Sequence, residues 1–174
     1  MTQADVKKRL MYLSGEDFYL FSYTVLVALD FLNCKKGKFF KDYRKLAFLI
    51  EFIRDEKLNY IISNSDERTL NPLDKEYLFS SYSTGLSRRS EILKLLFTLE
   101  KKKLVILERG NNNMINVSLN KEILPASFLD KKIFKKEYSN LDSFCSTIQR
   151  VTALTLETML DRIYKQNGIA TWAI

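Results

Sequence analysis

The residues with the most definite chemistry in this sequence are cations. Arg88-Arg89 open an amphipathic stretch, Lys94 follows, Lys101-Lys102-Lys103 close it, and Arg109 stands in a Gly/Asn-rich tip. Guanidinium and ammonium groups spaced along a helix and the turn after it suit phosphate oxygens, and an arginine can also grip a base edge. The lysines and Arg109 would add sequence-independent backbone contacts. The competing reading of these residues is a solvated face on a helix that packs through Ile92, Leu95 and Leu99. A net charge of +7 fits an acidic partner such as nucleic acid.

Catalytic chemistry has no comparable set. The chain has no histidine, which removes the commonest general base and the commonest metal ligand together. Asp17, Asp30, Asp42 and Glu51 are scattered among helical patterns, and no Gly-rich phosphate loop or metal-ligand spacing is present. Cys34 and Cys145 sit among apolar residues and read as buried free thiols in a reducing compartment. The expectation is a non-enzymatic protein with no catalytic residue, metal site or cofactor.

The stretch that positions the cations is Leu86 to Leu119. Its apolar residues Ile92, Leu95, Leu96 and Leu99 recur at helical spacing, with Ser87 as the N-cap. Period 3.6 then gives way to Leu104-Val105-Ile106-Leu107, a tip at Arg109-Gly110-Asn111-Asn112-Asn113, and a return in which Ile115, Val117 and Leu119 alternate with Asn116 and Ser118. Leu73 to Phe79 supplies a preceding helix and Ser83-Thr84-Gly85 a tight turn. The unit reads as a winged helix-turn-helix with a two-stranded wing, within residues 67–122.

A helical N-terminal part (1–66) precedes it. Asp5 to Leu13 forms a short helix, Phe18 to Asn33 is apolar on nearly all sides as a core helix is, and a third helix covers about Tyr43 to Ile53. Leu58 to Ile62 is a short strand or a helix end. Lys38 to Lys45 sets aromatics among cations as single-strand binders do, but the spacing favours core aromatics and surface lysines. A C-terminal helical arm (123–174) carries one long helix from about Lys131 to Gln166, interrupted near Ser139-Asn140. Its stripe of Leu141, Phe144, Ile148, Val151, Leu154, Met159 and Ile163 packs on the N-terminal helices by default, and with Trp172 in the apolar tail it offers surface to a partner. The three parts read as one compact, mainly α unit with an arm. The opening MTQADVKKRL has no signal-peptide core, and Phe18 to Leu32 is too short to span a bilayer, so a cytoplasmic protein is expected, without membrane contact.

Ala28-Leu29-Asp30-Phe31, Gly37 to Leu46 and the Leu86 to Leu119 unit, set in a small basic chain with a helical opening and a long final helix, resemble the middle components of bacterial ABC-three-component defence systems, including the small accessory subunit of Lamassu-type systems. The resemblance implies a winged-helix adaptor bound to an SMC- or Rad50-like ATPase, holding an effector such as a nuclease against phage or plasmid DNA, with double-stranded DNA reached through the complex. It carries over no catalytic residue. The alternative is a free-standing winged-helix DNA-binding protein, a transcriptional regulator or replication initiator acting as a homodimer. Against it, the presumed recognition helix has no Asn or Gln to read bases.

Overall fold

The computed structural model describes residues 18–65 and 69–172. The first helix, α1, covers residues 18–31. After it come α2 (Arg44–Arg54), α3 (Glu56–Ser63), α4 (Pro72–Lys101), the strands β1 (Val105–Arg109) and β2 (Ile115–Leu119), α5 (Lys135–Thr147) and α6 (Leu156–Ile163). Single turns of 3-10 helix lie at Asn111–Asn113 and Lys165–Asn167. The chain is mainly helical with one small antiparallel sheet, as its periodicity leads one to expect. The helix expected over Asp5 to Leu13 lies outside the described residues, and Leu58 to Ile62 belongs to a helix.

Helix α2 is the centre of the core. Its sequence, RKLAFLIEFIR, is apolar on almost every side, and every residue from Lys45 to Ile53 except Glu51 is buried. It packs against α4 and α5 and also meets α3 and α6. Phe48 stacks on Tyr82 with ring centres 5.9 Å apart, and Phe52 leans on Phe144 at 5.1 Å. Tyr164 closes the group at 5.1 Å from Tyr82, its hydroxyl 3.1 Å from Ser81 Oγ, so the buried phenol is not left unpaired. Val25 to Leu29 of α1 are buried on all sides, which is how a helix with apolar residues all round is accommodated.

The expected turn at Ser83-Thr84-Gly85 is not a turn. Helix α4 runs unbroken through it for 30 residues, and Ser87 caps nothing: its hydroxyl donates to the Thr84 carbonyl at 3.0 Å. The true start is Asn71-Pro72, where Asn71 Oδ1 accepts from the Asp74 amide at 2.8 Å and Pro72 supplies a preset φ. Replacing Asn71 with alanine is expected to cost about 1 kcal/mol, the usual worth of such a cap, read as a lower thermal midpoint. The reason for continuity is packing. Leu78, Tyr82, Gly85, Ile92, Leu96 and Leu99 fall on one buried stripe, and Gly85 is the point where the Phe48 ring crosses it. A Cβ built on Gly85 would lie 2.4 Å from Phe48 Cδ1. The glycine serves close approach and not chain reversal.

The long C-terminal helix is also corrected. Ser139 and Asn140 are helical, and Asn140 is buried in α5 with its amide donating to the Ile53 carbonyl at 2.8 Å. The break comes later, between Ile148 and Thr155, with Arg150 in the left-handed region at φ 60°. Lys45, expected at the surface and in fact wholly buried, holds the broken segment. The Lys45 ammonium donates to the carbonyls of Val151 (2.6 Å), Leu154 (2.7 Å) and Thr152 (3.3 Å) and sits 4.6 Å from the centre of the Phe40 ring. The Thr152 carbonyl also accepts from the Lys41 amide at 3.1 Å, while for the carbonyls of Val151 and Leu154 the ammonium supplies the donor.

The hairpin pairs Val105 with Leu119 through Arg109 with Ile115. At its tip the left-handed residues are Asn112 and Asn113, at φ 56° and 58°, and not Gly110. The outer edge of β2 is covered by the chain between α1 and α2. Phe40 exchanges backbone hydrogen bonds with Val117 at 2.8 and 2.9 Å, and the Leu119 amide donates to the Cys34 carbonyl at 2.7 Å. Buried Ser118 Oγ donates to the carbonyls of Lys38 (2.9 Å) and Cys34 (3.2 Å) and fixes the loop there.

Candidate nucleic-acid interface

The expected contact residues separate into two groups. Arg88 is engaged inside the fold: its guanidinium pairs with Glu51 of α2 and lies 4.8 Å from the centre of the Phe21 ring. Burial raises the Glu51 carboxyl above its usual range, and the Arg88 charge works against that rise, so the pair is held for the core and not for phosphate. Arg89, the next residue of α4, is half-buried. Lys94, Lys101, Lys102, Lys103 and Arg109 are exposed.

Lys94 and Lys101 are seven positions apart on one helix face, about 10 Å along the axis. Lys103, at φ 60°, turns the chain from α4 into β1, and the Asn120 side chain donates through Nδ2 to its carbonyl at 2.8 Å. Arg109 stands at the opposite end of β1, about 13 Å away at strand rise. It is at the tip of the hairpin, while the lysine triplet is at the root.

The covered edge of β2 brings a second set of cations to that root. Lys35 pairs with Leu119 across the edge, next to Asn120, whose amide donates to the Leu104 carbonyl at 2.9 Å. Lys36 and Lys38 are exposed on the same loop, with Lys36 at φ 52° and Gly37 at φ 82° forming its bend. Lys121 follows β2 directly. Lys35 and Lys121 flank Asp30 at the end of α1, at 3.2 and 3.6 Å. Burial alone would raise the Asp30 carboxyl, but the Tyr138 hydroxyl donating at 2.8 Å and the two lysines outweigh it and hold Asp30 below its usual value. The carboxylate thus stays charged and anchors the lysines in place. Among the described residues, Lys36, Lys38 and Lys101 to Lys103 take part in no ion pair. Three segments remote in sequence therefore bring lysines to the hairpin root. The sequence alone singles out Lys38, within the Lys38 to Lys45 segment, but not Lys35, Lys36 or Lys121; for Lys35 and Lys36 the one available signal is the Lys-Lys-Gly-Lys loop itself.

The expected partner-binding stripe lies inside the fold. Leu141, Phe144, Ile148, Val151, Met159 and Ile163 are buried in the chain's own core, and Leu154 is half-buried against it. Only Trp172 stays open, 53% exposed, with its ring set edge-on to Tyr82 at 5.2 Å and 6.0 Å from Phe79. Near it a cleft of about 780 Å³ separates the hairpin tip from α6, lined by Arg44, Asn112, Met114, Leu160 and Trp172 among others. Two ion pairs lie on its walls, each within one segment: Arg44 holds Asp42 at 2.7 Å, and Lys165 lies 3.8 Å from Asp161. Cys34 and Cys145 are free, and burial pushes both thiols up to about 11, so neither is a ready nucleophile. No described helix is long and apolar enough to cross a membrane. Comparison with protein-family models, with curated proteins and with solved structures finds no match for this chain.

Proposed function

We propose that this chain is a non-catalytic accessory subunit of an SMC- or Rad50-like ATPase assembly in anti-phage or anti-plasmid defence, and that its part in it is to hold the sugar–phosphate backbone of DNA on the basic root of the β1–β2 hairpin. The observation that carries the nucleic-acid contact is the convergence of Lys35, Lys36, Lys38, Lys101, Lys102, Lys103 and Lys121 there from three segments. Asp30 offsets Lys35 and Lys121, the other five take part in no ion pair among the described residues, and a phosphate backbone is the polyanion such a group suits. The ATPase, the effector and the defence role rest on the resemblance of the sequence alone.

With the expected turn at Ser83-Thr84-Gly85 absent, we propose a different winged helix, whose parts begin at α1 and not near residue 67. What supports it is the order helix α1, edge bridge at Phe40, helices α2, α3 and α4, then the hairpin, with α3 as an addition between α2 and α4. In it α4 is the helix before the wing and α2 its packing partner. The engagement of Arg88 with Glu51 weighs against the free-standing regulator, because it takes one of two base-reading candidates off the helix surface.

The test is fluorescence anisotropy with a labelled duplex at 50 and 200 mM salt. Replacing Lys101, Lys102 and Lys103 together by serine is expected to weaken binding about tenfold or more and to lower the salt slope by about 2 to 3, near 0.9 per lost phosphate contact. An unchanged affinity and slope would sink the role of this face. The assembly is tested separately by light scattering after co-expression with a coiled-coil ATPase encoded nearby. A chain that stays alone beside that ATPase removes the adaptor reading and leaves the lysine face standing.

A further inference from the structure

The lysine cluster continues into a second feature that duplex binding does not use. Helix α1 presents Tyr19 and Tyr23, 64% and 36% exposed, one turn apart on the same face. Tyr23 stacks on Phe128 at 5.3 Å between ring centres, with the planes within 24° of parallel, and has Phe134 at 5.6 Å. The segment that brings these two phenylalanines to α1 also brings Lys131, Lys132, Lys135 and Lys136, all exposed. Lys131 leans over Tyr138 at 5.6 Å, and Tyr138 is the residue that holds Asp30 between Lys35 and Lys121. Asp30 lies seven positions beyond Tyr23, about 10 Å along α1. The tyrosines thus begin where the lysines of the hairpin root end.

Rings flanked by ammonium groups match an unpaired strand better than a duplex. A duplex keeps its bases stacked inside and offers phosphates alone to such a face. A single strand offers phosphates to lysines and, beside them, base faces that stack on exposed aromatic rings without regard to sequence. We propose that this face binds single-stranded nucleic acid, with Tyr19 and Tyr23 stacking bases and the lysines of both segments following the backbone. This rests on the reading of the hairpin root as a nucleic-acid contact and names the form of nucleic acid it takes.

The experiment uses the full chain with a labelled 20-nucleotide oligothymidine and a duplex of the same length at one salt concentration. The wild type is expected to bind the oligothymidine more tightly than the duplex. Tyr19→Ala, at a site too exposed to endanger folding, and a Tyr19→Ala/Tyr23→Leu pair are expected to weaken oligothymidine binding about tenfold while leaving the duplex as it was. Tyr23→Phe, which keeps the ring, is expected to bind as the wild type does. Equal affinities of the wild type for strand and duplex, or tyrosine variants that bind the strand unchanged, overturn the proposal and leave the backbone contact intact. The same unchanged binding joined to loss of a co-expressed partner would mark the aromatic face as a protein-docking surface instead. Failure of the wild type to bind either probe removes the nucleic-acid reading as a whole.

Discussion

Lys45→Met is expected to destabilise the chain by about 3 kcal/mol, the largest effect of a single substitution predicted for it. Methionine fills a similar volume, so the loss is not one of packing. It comes from the carbonyls of Val151 and Leu154, which would lose the ammonium that satisfies them, at about 1 to 3 kcal/mol for each group left unpaired, whereas the Thr152 carbonyl keeps the Lys41 amide. Removal of a buried charge returns part of that. Urea unfolding of wild type and variant measures the difference, and a loss below about 1 kcal/mol would show that the 148–155 segment holds its shape without the ammonium.

The same residue gives stability a pH dependence with a definite sign. Burial pushes the Lys45 ammonium down to about 8, with the Asp42 charge acting in the opposite direction. An unfolded lysine titrates near 10.4, so between about pH 8 and 10.4 the unfolded chain holds a proton that the folded chain has lost. The unfolded state then binds more protons, and this group makes stability rise with pH across the window. The Lys45→Met variant lacks the term. The stability gap between wild type and variant is therefore expected to be constant below pH 8 and to widen from pH 8 to 10. Taking the gap between the two proteins cancels the cysteines and tyrosines that titrate in the same range.

Gly85→Ala is expected to cost about 2 kcal/mol, the second largest effect. Alanine is favoured over glycine in a helix interior by about 1 kcal/mol, so a helix position with free space would gain stability from the change. Here the new methyl would meet the Phe48 ring at 2.4 Å, and the ring is wedged between Tyr82 and Tyr164 at 5.9 and 6.2 Å with nowhere to retreat. Overpacking of this kind outweighs the propensity gain. Phe48→Leu in the same chain is expected to recover part of the loss, giving a favourable coupling between the two sites in a double-mutant cycle. Additive effects would mean that the ring and the glycine do not meet.

By itself the sequence determined what depends on neighbours a few residues away. The switch from a 3.6-residue to a two-residue apolar period after Leu99 placed β1 and β2, and the Asn-rich tip placed the left-handed turn, because both follow from local backbone preference. The extent of α2 and the buried character of α1 followed from apolar runs too wide to leave in water. Tertiary structure decided everything that turned on what lies across the core. Gly85 reads alike as a turn or as a close-contact position until Phe48 is set against it, though its phase with Leu78, Tyr82, Ile92 and Leu99 held the answer. Lys45 reads as surface until loop carbonyls 106 to 109 positions away arrive to use its protons. Arg88 reads as a phosphate ligand until Glu51 meets it. The lysines of the hairpin root become one cluster only when the edge of β2 takes up the loop after α1. Charges and buried donors act through space, so their roles belong to the fold and not to their order along the chain.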